Sequence, residues 1–448
     1  MSIKSLFAFA FIALFVVACT KDRMPSLIEL DDELKRRIEG ESPDGTTSYY
    51  ILPDGSDLSQ IPQDPKNVLT EKKIELGKML FFETGLAEDA VHESGIGTYS
   101  CATCHIPEAA FRPGSFQGIA DGGMSFGING ENRVMNSADY EESELDVQSA
   151  RPLSMVNVAF VENTFWNGQF GAFGVNEGTE EVWDEDPGTA RNHLGMSGIE
   201  VQNIQGLVDH RITINEEILS RYGYKSMVDE VFADVPEEER YTVATVSLAF
   251  SAYIRSIISY KAPFQRWLAG DNDALGKEEK KGGILFFGEA NCSNCHYEKN
   301  LGSLEFHALG VNDMYQQPSY DAFPSDKRNF GRGGFTLNPE DNFKFKVPGL
   351  YNVGDADFYF HGASKTTLRE LLDYKDIAVK ENANVPDEQM SDKFLPLGLT
   401  EEEKDQLEAF LRNALRDPDM KRFEPESVLS GLCFPNNDPQ SKIDLGCN

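Results

Sequence analysis

Apolar residues first fall into helical register just after Thr70. Thr70 occupies an N-cap position, Ile74, Leu76, Met79, Leu80 and Phe81 form one broad face, and Gly85 interrupts the run. The same order of parts returns in the second half, where residues 277–287 end in Leu285-Phe286-Phe287, matching Leu80-Phe81-Phe82. An internal duplication is the economical reading. Between the copies, residues 241–260 form a long amphipathic run without Gly or Pro, and 270–274 read as a junction. Near the end, Thr400 with Glu403 makes a capping box ahead of Leu407, Phe410, Leu411 and Leu415. Strand-like alternation is scarce, and the Gly-rich stretch 114–130 reads as loop. The pattern predicts a mainly α chain with long loops.

A chain of 448 residues exceeds one compact core of ordinary size, so two domains plus tails are expected. Lys4 precedes an apolar stretch over 6–18 that is too short to span a bilayer and is followed by polar residues, as in a signal peptide. Val16-Val17-Ala18-Cys19 resembles a bacterial lipoprotein cleavage site, which makes 1–18 the leader and Cys19 the lipid-anchored new N-terminus outside the cytoplasm. Residues 19–66, acidic and rich in Pro, Ser and Gly, are expected to be a flexible tether. The body divides into an N-terminal part, 67–268, a C-terminal part, 269–425, and a tail, 426–448. A formal net charge of -33 excludes a nucleic-acid partner, since phosphate would be repelled. Its acidic runs, at 141–144, 180–186, 237–239 and 401–405, read as solvated surface.

The seven cysteines sort without remainder. Besides Cys19, two pairs lie in Cys101-Ala102-Thr103-Cys104-His105 and Cys292-Ser293-Asn294-Cys295-His296, leaving Cys433 and Cys447 for a disulfide in an oxidising compartment. Each five-residue motif has the spacing for two thioether bonds to one porphyrin, with the adjacent His reaching the iron. A thioredoxin-like dithiol would need a strand and helix that are not legible here, and a zinc ribbon would leave the two histidines unused. Two covalently bound haem c groups follow, with His105 and His296 as iron ligands.

Further segments surround these motifs: Leu76-Gly77-Lys78-Met79-Leu80-Phe81-Phe82, Phe165-Trp166-Asn167-Gly168, Ala262-Pro263-Phe264-Gln265, Phe345-Lys346-Val347-Pro348, Tyr359-Phe360-His361-Gly362 and Leu397 to Thr400. In this order they resemble the bacterial di-haem cytochrome c peroxidases, including the related enzyme that matures methylamine dehydrogenase. The resemblance spans about 69 to about 418. It implies two cytochrome c-like haem domains, with a peroxidatic haem on His105 and a haem on His296 that takes in electrons. It further implies hydrogen peroxide as substrate and a small cytochrome c or cupredoxin as donor, and relatives are often homodimers.

Residue by residue, the resemblance brings five expectations. Residues 106–151 contain no His to close the peroxidatic iron, which leaves that site open or blocked only by Met124 or Met135. Aligning the family's Gln with Gln202 puts Ile212 where the catalytic Glu belongs; His210 then stands in as acid/base, with Arg211 stabilising negative charge and Glu200 as the fallback. Trp166 corresponds to the tryptophan between the haems. The distal ligand of the second haem falls on Lys375, or on Tyr374 if the register slips by one. The family's calcium loses its Asn to Ala150, beside Arg151, which argues against the ion even though Lys346 and Pro348 could offer carbonyls. Two other functions stay open at this point: oxidation of another substrate, such as a protein, and simple two-haem electron transfer.

Overall fold

The computed structural model describes residues 25–447, so the expected leader and Cys19 lie outside the described residues. Within that span the protein is mainly helical, and its paired strands form two two-residue ribbons, Gly123–Met124 with Val134–Met135 and Phe306–His307 with Phe345–Lys346. The helices that set the frame are α1 (Pro25–Glu41), α2 (Glu71–Phe82), α3 (Gly198–Asp209), α4 (Val243–Arg255), α5 (Lys277–Phe286), α6 (Leu368–Ile377), α7 (Glu401–Ala409) and α8 (Pro439–Leu445). Thr70 caps α2 by accepting from the Lys73 amide, and Thr400 and Glu403 close the expected box on α7. Thr242 caps α4, which is shorter than the apolar run suggested and stops at Arg255.

The duplication is visible in the packing. α2 crosses α4 as α5 crosses α7, and in each crossing a glycine sits where no side chain fits. A Cβ on Gly77 would lie 1.8 Å from the Ala249 carbonyl oxygen, and one on Gly282 would lie 1.9 Å from that of Gln406. Four residues further on, Phe81 and Phe286 face His105 and His296, with ring centroids 6.4 and 6.3 Å apart. Asn157 and Asn352 adopt left-handed backbone and accept from the Ser259 and Asp417 amides at 2.9 and 3.2 Å. A single hydrophobic core runs through both repeats, from Leu76, Phe81 and Phe250 to Phe286, Leu407 and Phe410.

The stretch expected as a flexible tether departs from that expectation wherever it is described. Leu34 and Ile38 of α1 are fully buried and the helix lies on α5, while the Trp267 indole donates to Asp31 at 2.7 Å. Tyr50 packs edge-on against Phe287 at 5.5 Å. Leu27, Leu30, Leu34 and Ile38 recur at near-helical spacing within an acidic, charged stretch, and the helix they allow is seated on an apolar groove that another part of the chain provides. The tail behaves similarly: Cys433 and Cys447 form a disulfide, with Cα atoms 5.8 Å apart, and the segment returns to the first repeat. Each end of the described chain therefore packs on the half distant from it in sequence. Among the described residues, no helix is long and apolar enough to cross a membrane.

Candidate active site

Both Cys-x-x-Cys-His motifs fold into a single 3-10 turn whose carbonyls fold the histidine back onto the cysteines. The His105 amide donates to Cys101 O at 3.1 Å, and that of His296 donates to Cys292 O at 3.0 Å. Each imidazole is then anchored from behind: Nδ1 of His105 donates to Phe111 O at 2.9 Å and Nδ1 of His296 to Leu301 O at 2.7 Å. That fixes the tautomer and leaves Nε2 with a lone pair. Burial pulls both rings down to about 4, so they are neutral, the form that ligates a metal. None of the four motif cysteines is paired in a disulfide, so all four sulfurs are available for thioether bonds.

A cavity of about 760 Å³ opens beside His105, walled by Phe81, Arg112, Trp166, His210, Ile212 and Lys346 among others. Two of its cations lack a counter-charge. The Nη1 of Arg112 is buried without a partner, and burial lowers that guanidinium to about 10. Lys346 is 4% exposed, its amine has no hydrogen-bond or ion-pair partner among the described residues, and burial alone takes it to about 7. Unpaired buried cations are costly, so the walls are suited to an anionic guest. A porphyrin edge with its two carboxylates would meet that demand, with Cys101, Cys104 and His105 as the residues that would hold it.

Across the cavity, α3 ends at Asp209, and the left-handed backbone of Arg211 (φ 53°) sends its last side chains in different directions. His210 stays on the wall, its Nδ1 held by the Asp146 carboxylate at 2.9 and 3.1 Å. Burial is the largest single influence and works against its charged form, but the Asp146 charge, the Asp146 hydrogen bond and the Asp209 charge together outweigh it and raise the pKa. Arg211 turns off the wall and donates to Asp121 Oδ2 at 2.5 Å. Glu200 does not reach the cavity either: fully buried, it accepts from Arg255 at 2.8 and 2.5 Å and from Asn67 at 3.1 Å. Its position on the inner face of α3, beside Arg255 of α4, gives it this structural partner. Met124 and Met135 lie in the first ribbon, away from the wall.

Trp166 lines the cavity, donates from Nε1 to Arg151 O at 2.7 Å and meets His361 edge-on at 6.2 Å. The Arg151 guanidinium donates to the carbonyls of Pro113, Ser115 and Phe116, placing a fixed positive charge beside Ala150. Burial, reinforced by Arg112, lowers Arg151 to about 9.

At the second motif the two neighbours on α6 part company. Tyr374 donates its hydroxyl to Leu309 O at 2.5 Å and packs between Phe360 and Phe394. Lys375 instead points toward the motif, close enough to act electrostatically on Cys292, Cys295 and His296. Its amine lies 5.7 Å from the Phe394 ring, makes no hydrogen bond or ion pair among the described residues, and is lowered by burial.

Three site residues escaped the sequence. Asp146 is one acid among Glu141, Glu142, Glu144 and others, and only the folded loop brings it to His210. Arg112 carried no motif, and Lys346 was considered only for its carbonyl.

Comparison with known proteins agrees with this geometry. Residues 71–273 match the family model described as di-haem cytochrome c peroxidase. The chain is 28% identical over 375 residues to cytochrome-c peroxidase IdrP1 of Denitromonas iodatirespirans, covering 79% of this chain and 84% of that protein. It is 25% identical over 363 residues to methylamine utilization protein MauG of Methylorubrum extorquens, covering 80% and 82% respectively. In fold it is similar to a MauG-like protein associated with microbial copper homeostasis, with a TM-score of 0.58 at 24% identity over 82% of this chain and 95% of that one. Over residues 71–273 the chain is thus similar to the di-haem cytochrome c peroxidase family, and its two Cys-x-x-Cys-His motifs are the residues that would fasten two c-type haems.

Proposed function

We propose that this protein reduces hydrogen peroxide to water at the haem on His105, using electrons that a small cytochrome or cupredoxin delivers to the haem on His296. The observation that carries this reading is the Asp146–His210 pair on the cavity wall, opposite an anchored proximal histidine. Bound at these sites, the haems supply the redox chemistry, in which two electrons and two protons turn one peroxide into two waters. His210 takes the proton from one peroxide oxygen at Nε2 and returns it to the departing oxygen, a role worth roughly 10²- to 10⁴-fold. Asp146 holds the ring so that Nε2 faces the cavity and stabilises the imidazolium. Trp166, between the cavity and His361, provides an aromatic bridge toward the second repeat.

Around the second haem, Lys375 is the donor suited to close the iron opposite His296, because the Tyr374 hydroxyl is already committed to Leu309 O. The absence of any histidine in 106–151 supports a first haem that accepts peroxide without prior rearrangement. The apolar leader, the two haem motifs and the Cys433–Cys447 disulfide support a location in the cell envelope, with Cys19 as lipid anchor. The test is to mix haem-loaded protein with peroxide and a reduced small cytochrome. Peroxide-dependent oxidation of the cytochrome that collapses in His210→Ala is the expected result. No such oxidation, or full turnover in His210→Ala, overturns the proposal.

A further inference from the structure

The C-terminal segment with its disulfide lies outside the residues that resemble the family, and the chemistry above leaves it without a task. Its placement is specific. The Pro435 carbonyl accepts from both Ser100 and Thr103, at 2.9 and 3.2 Å, the first immediately before Cys101 and the second between the two attachment cysteines. Asn437 donates to Gly97 O at 3.0 Å, and the Phe434 ring stands edge-on to Phe82 at 5.8 Å. Past the motif, Asp444 of α8 accepts from the amides of Phe126 and Gly127 at 2.9 and 3.0 Å, and Leu445 packs on Ile106, Ala109 and Phe126. The Cys433–Cys447 bond closes the segment into a loop, so that both of its docking sites are held together.

The consequence shows in the residue preceding the second cysteine of each motif. Thr103 is 2% exposed under the tail, whereas its counterpart Asn294 is exposed. A c-type haem is fastened along the edge that carries its thioether bonds, so a cover on the motif is a cover on that edge. Electron transfer weakens steeply with the distance between redox edges, and a donor kept outside an added layer of chain is a poor donor.

We propose that residues 431–447 form a fixed cover over the attachment edge of the N-terminal haem. The cover denies external donors direct access there and directs electron uptake to the C-terminal haem. Each transfer moves one electron from the reduced donor to the ferric C-terminal haem, and the N-terminal haem is then reduced from within the protein by an electron passed on from it. The inference rests on the reading above only in assigning a six-coordinate second haem, so that the two irons can be told apart by absorption.

The experiment is rapid mixing of the oxidised full-length protein with a reduced small basic cytochrome, with no peroxide present. In the intact protein, reduction of the C-terminal haem should be second order in donor, and reduction of the N-terminal haem should follow at a rate independent of donor concentration. A chain ending at Ser430, and a full-length Cys433→Ser/Cys447→Ser/Asp444→Ala variant, should each make N-terminal haem reduction rise in proportion to donor. Haem loading and melting temperature establish which variants are folded. Donor-dependent reduction of the N-terminal haem in the intact protein overturns the proposal without any variant. So does a donor-independent rate in whichever folded variant has lost the cover. Because no peroxide enters the assay, loss of the peroxidase reading would leave these outcomes unchanged.

Discussion

The two haem sites are alike behind the porphyrin and unlike in front of it. Behind, His105 and His296 share the same turn, the same backbone carbonyl on Nδ1 and the same phenylalanine one helix turn beyond a crossing glycine. In front, α3 presents His210 backed by a carboxylate, and α6 presents Lys375 over an aromatic ring. Attachment depends on a five-residue motif and one packed ring, and a duplication copies both intact. The opposite face depends on which residue ends a helix and what the loops bring to it, so divergence there alters chemistry without disturbing the haem's footing. Under the proposed function, the group backed by a carboxylate manages protons and the amine with no competing partner is the donor to metal.

The contrast breaks most severely at His210. His210→Ala should lower kcat/KM for peroxide roughly 10²- to 10⁴-fold while the spectrum of the C-terminal haem is unchanged, measured by steady-state turnover and absorption. On the other side, Lys375→Met should raise the potential of the C-terminal haem by more than about 59 mV, a tenfold change for one electron, in a spectroelectrochemical titration. An unchanged potential would remove the lysine from the iron.

Asp146→Asn sharpens the contrast with a smaller effect. Asp146 raises the His210 pKa, so without its charge the proton leaves at lower pH; because His210 must be neutral to take the peroxide proton, the acid limb of the rate profile should move to lower pH. The linkage sign agrees: the pair stabilises the fold fully below the unfolded histidine value, and that contribution is lost as pH rises through the raised one. Glu200→Ala, by comparison, should cost about 3–5 kcal/mol in denaturant unfolding, because it strands buried Arg255. Turnover per bound haem should stay the same, which would separate Glu200 from the catalytic pair. Cys433→Ser/Cys447→Ser should cost about 3 kcal/mol, from the loop entropy the bond removes.

Much of this was legible from residue order alone. The helix starts at Thr70 and Thr400, the repeated Leu-Phe-Phe ending, both haem motifs and the C-terminal disulfide are local patterns, and each is set by neighbours within a turn or two. His210 is singled out from sequence only as a candidate, since the expected glutamate position holds Ile212 and a titratable group stands close by, and the structure puts it on the cavity wall. Arg211 and Glu200 were misplaced because a left-handed residue at the end of α3 and a cation on α4 decide where those side chains go. The register between Tyr374 and Lys375 could not be read from sequence, because adjacent residues on a helix differ by about 100° and only the packed Leu309 carbonyl shows which of them is occupied.

The stretch before residue 66 and the tail after 425 mark the same boundary. The first reads by its composition as a tether although Leu27, Leu30, Leu34 and Ile38 recur at near-helical spacing, and each is ordered by a surface that the opposite half of the chain builds. What residue order settled here is short-range: the two Cys-x-x-Cys-His motifs, the turn that sets a histidine beside each cysteine pair, and helix capping. What folding alone decided is which distant groups meet them, because Asp146 with His210, Lys346 with the cavity and Pro435 with the first motif are contacts between segments far apart in sequence. No local preference encodes such pairings; they follow from how the helices pack.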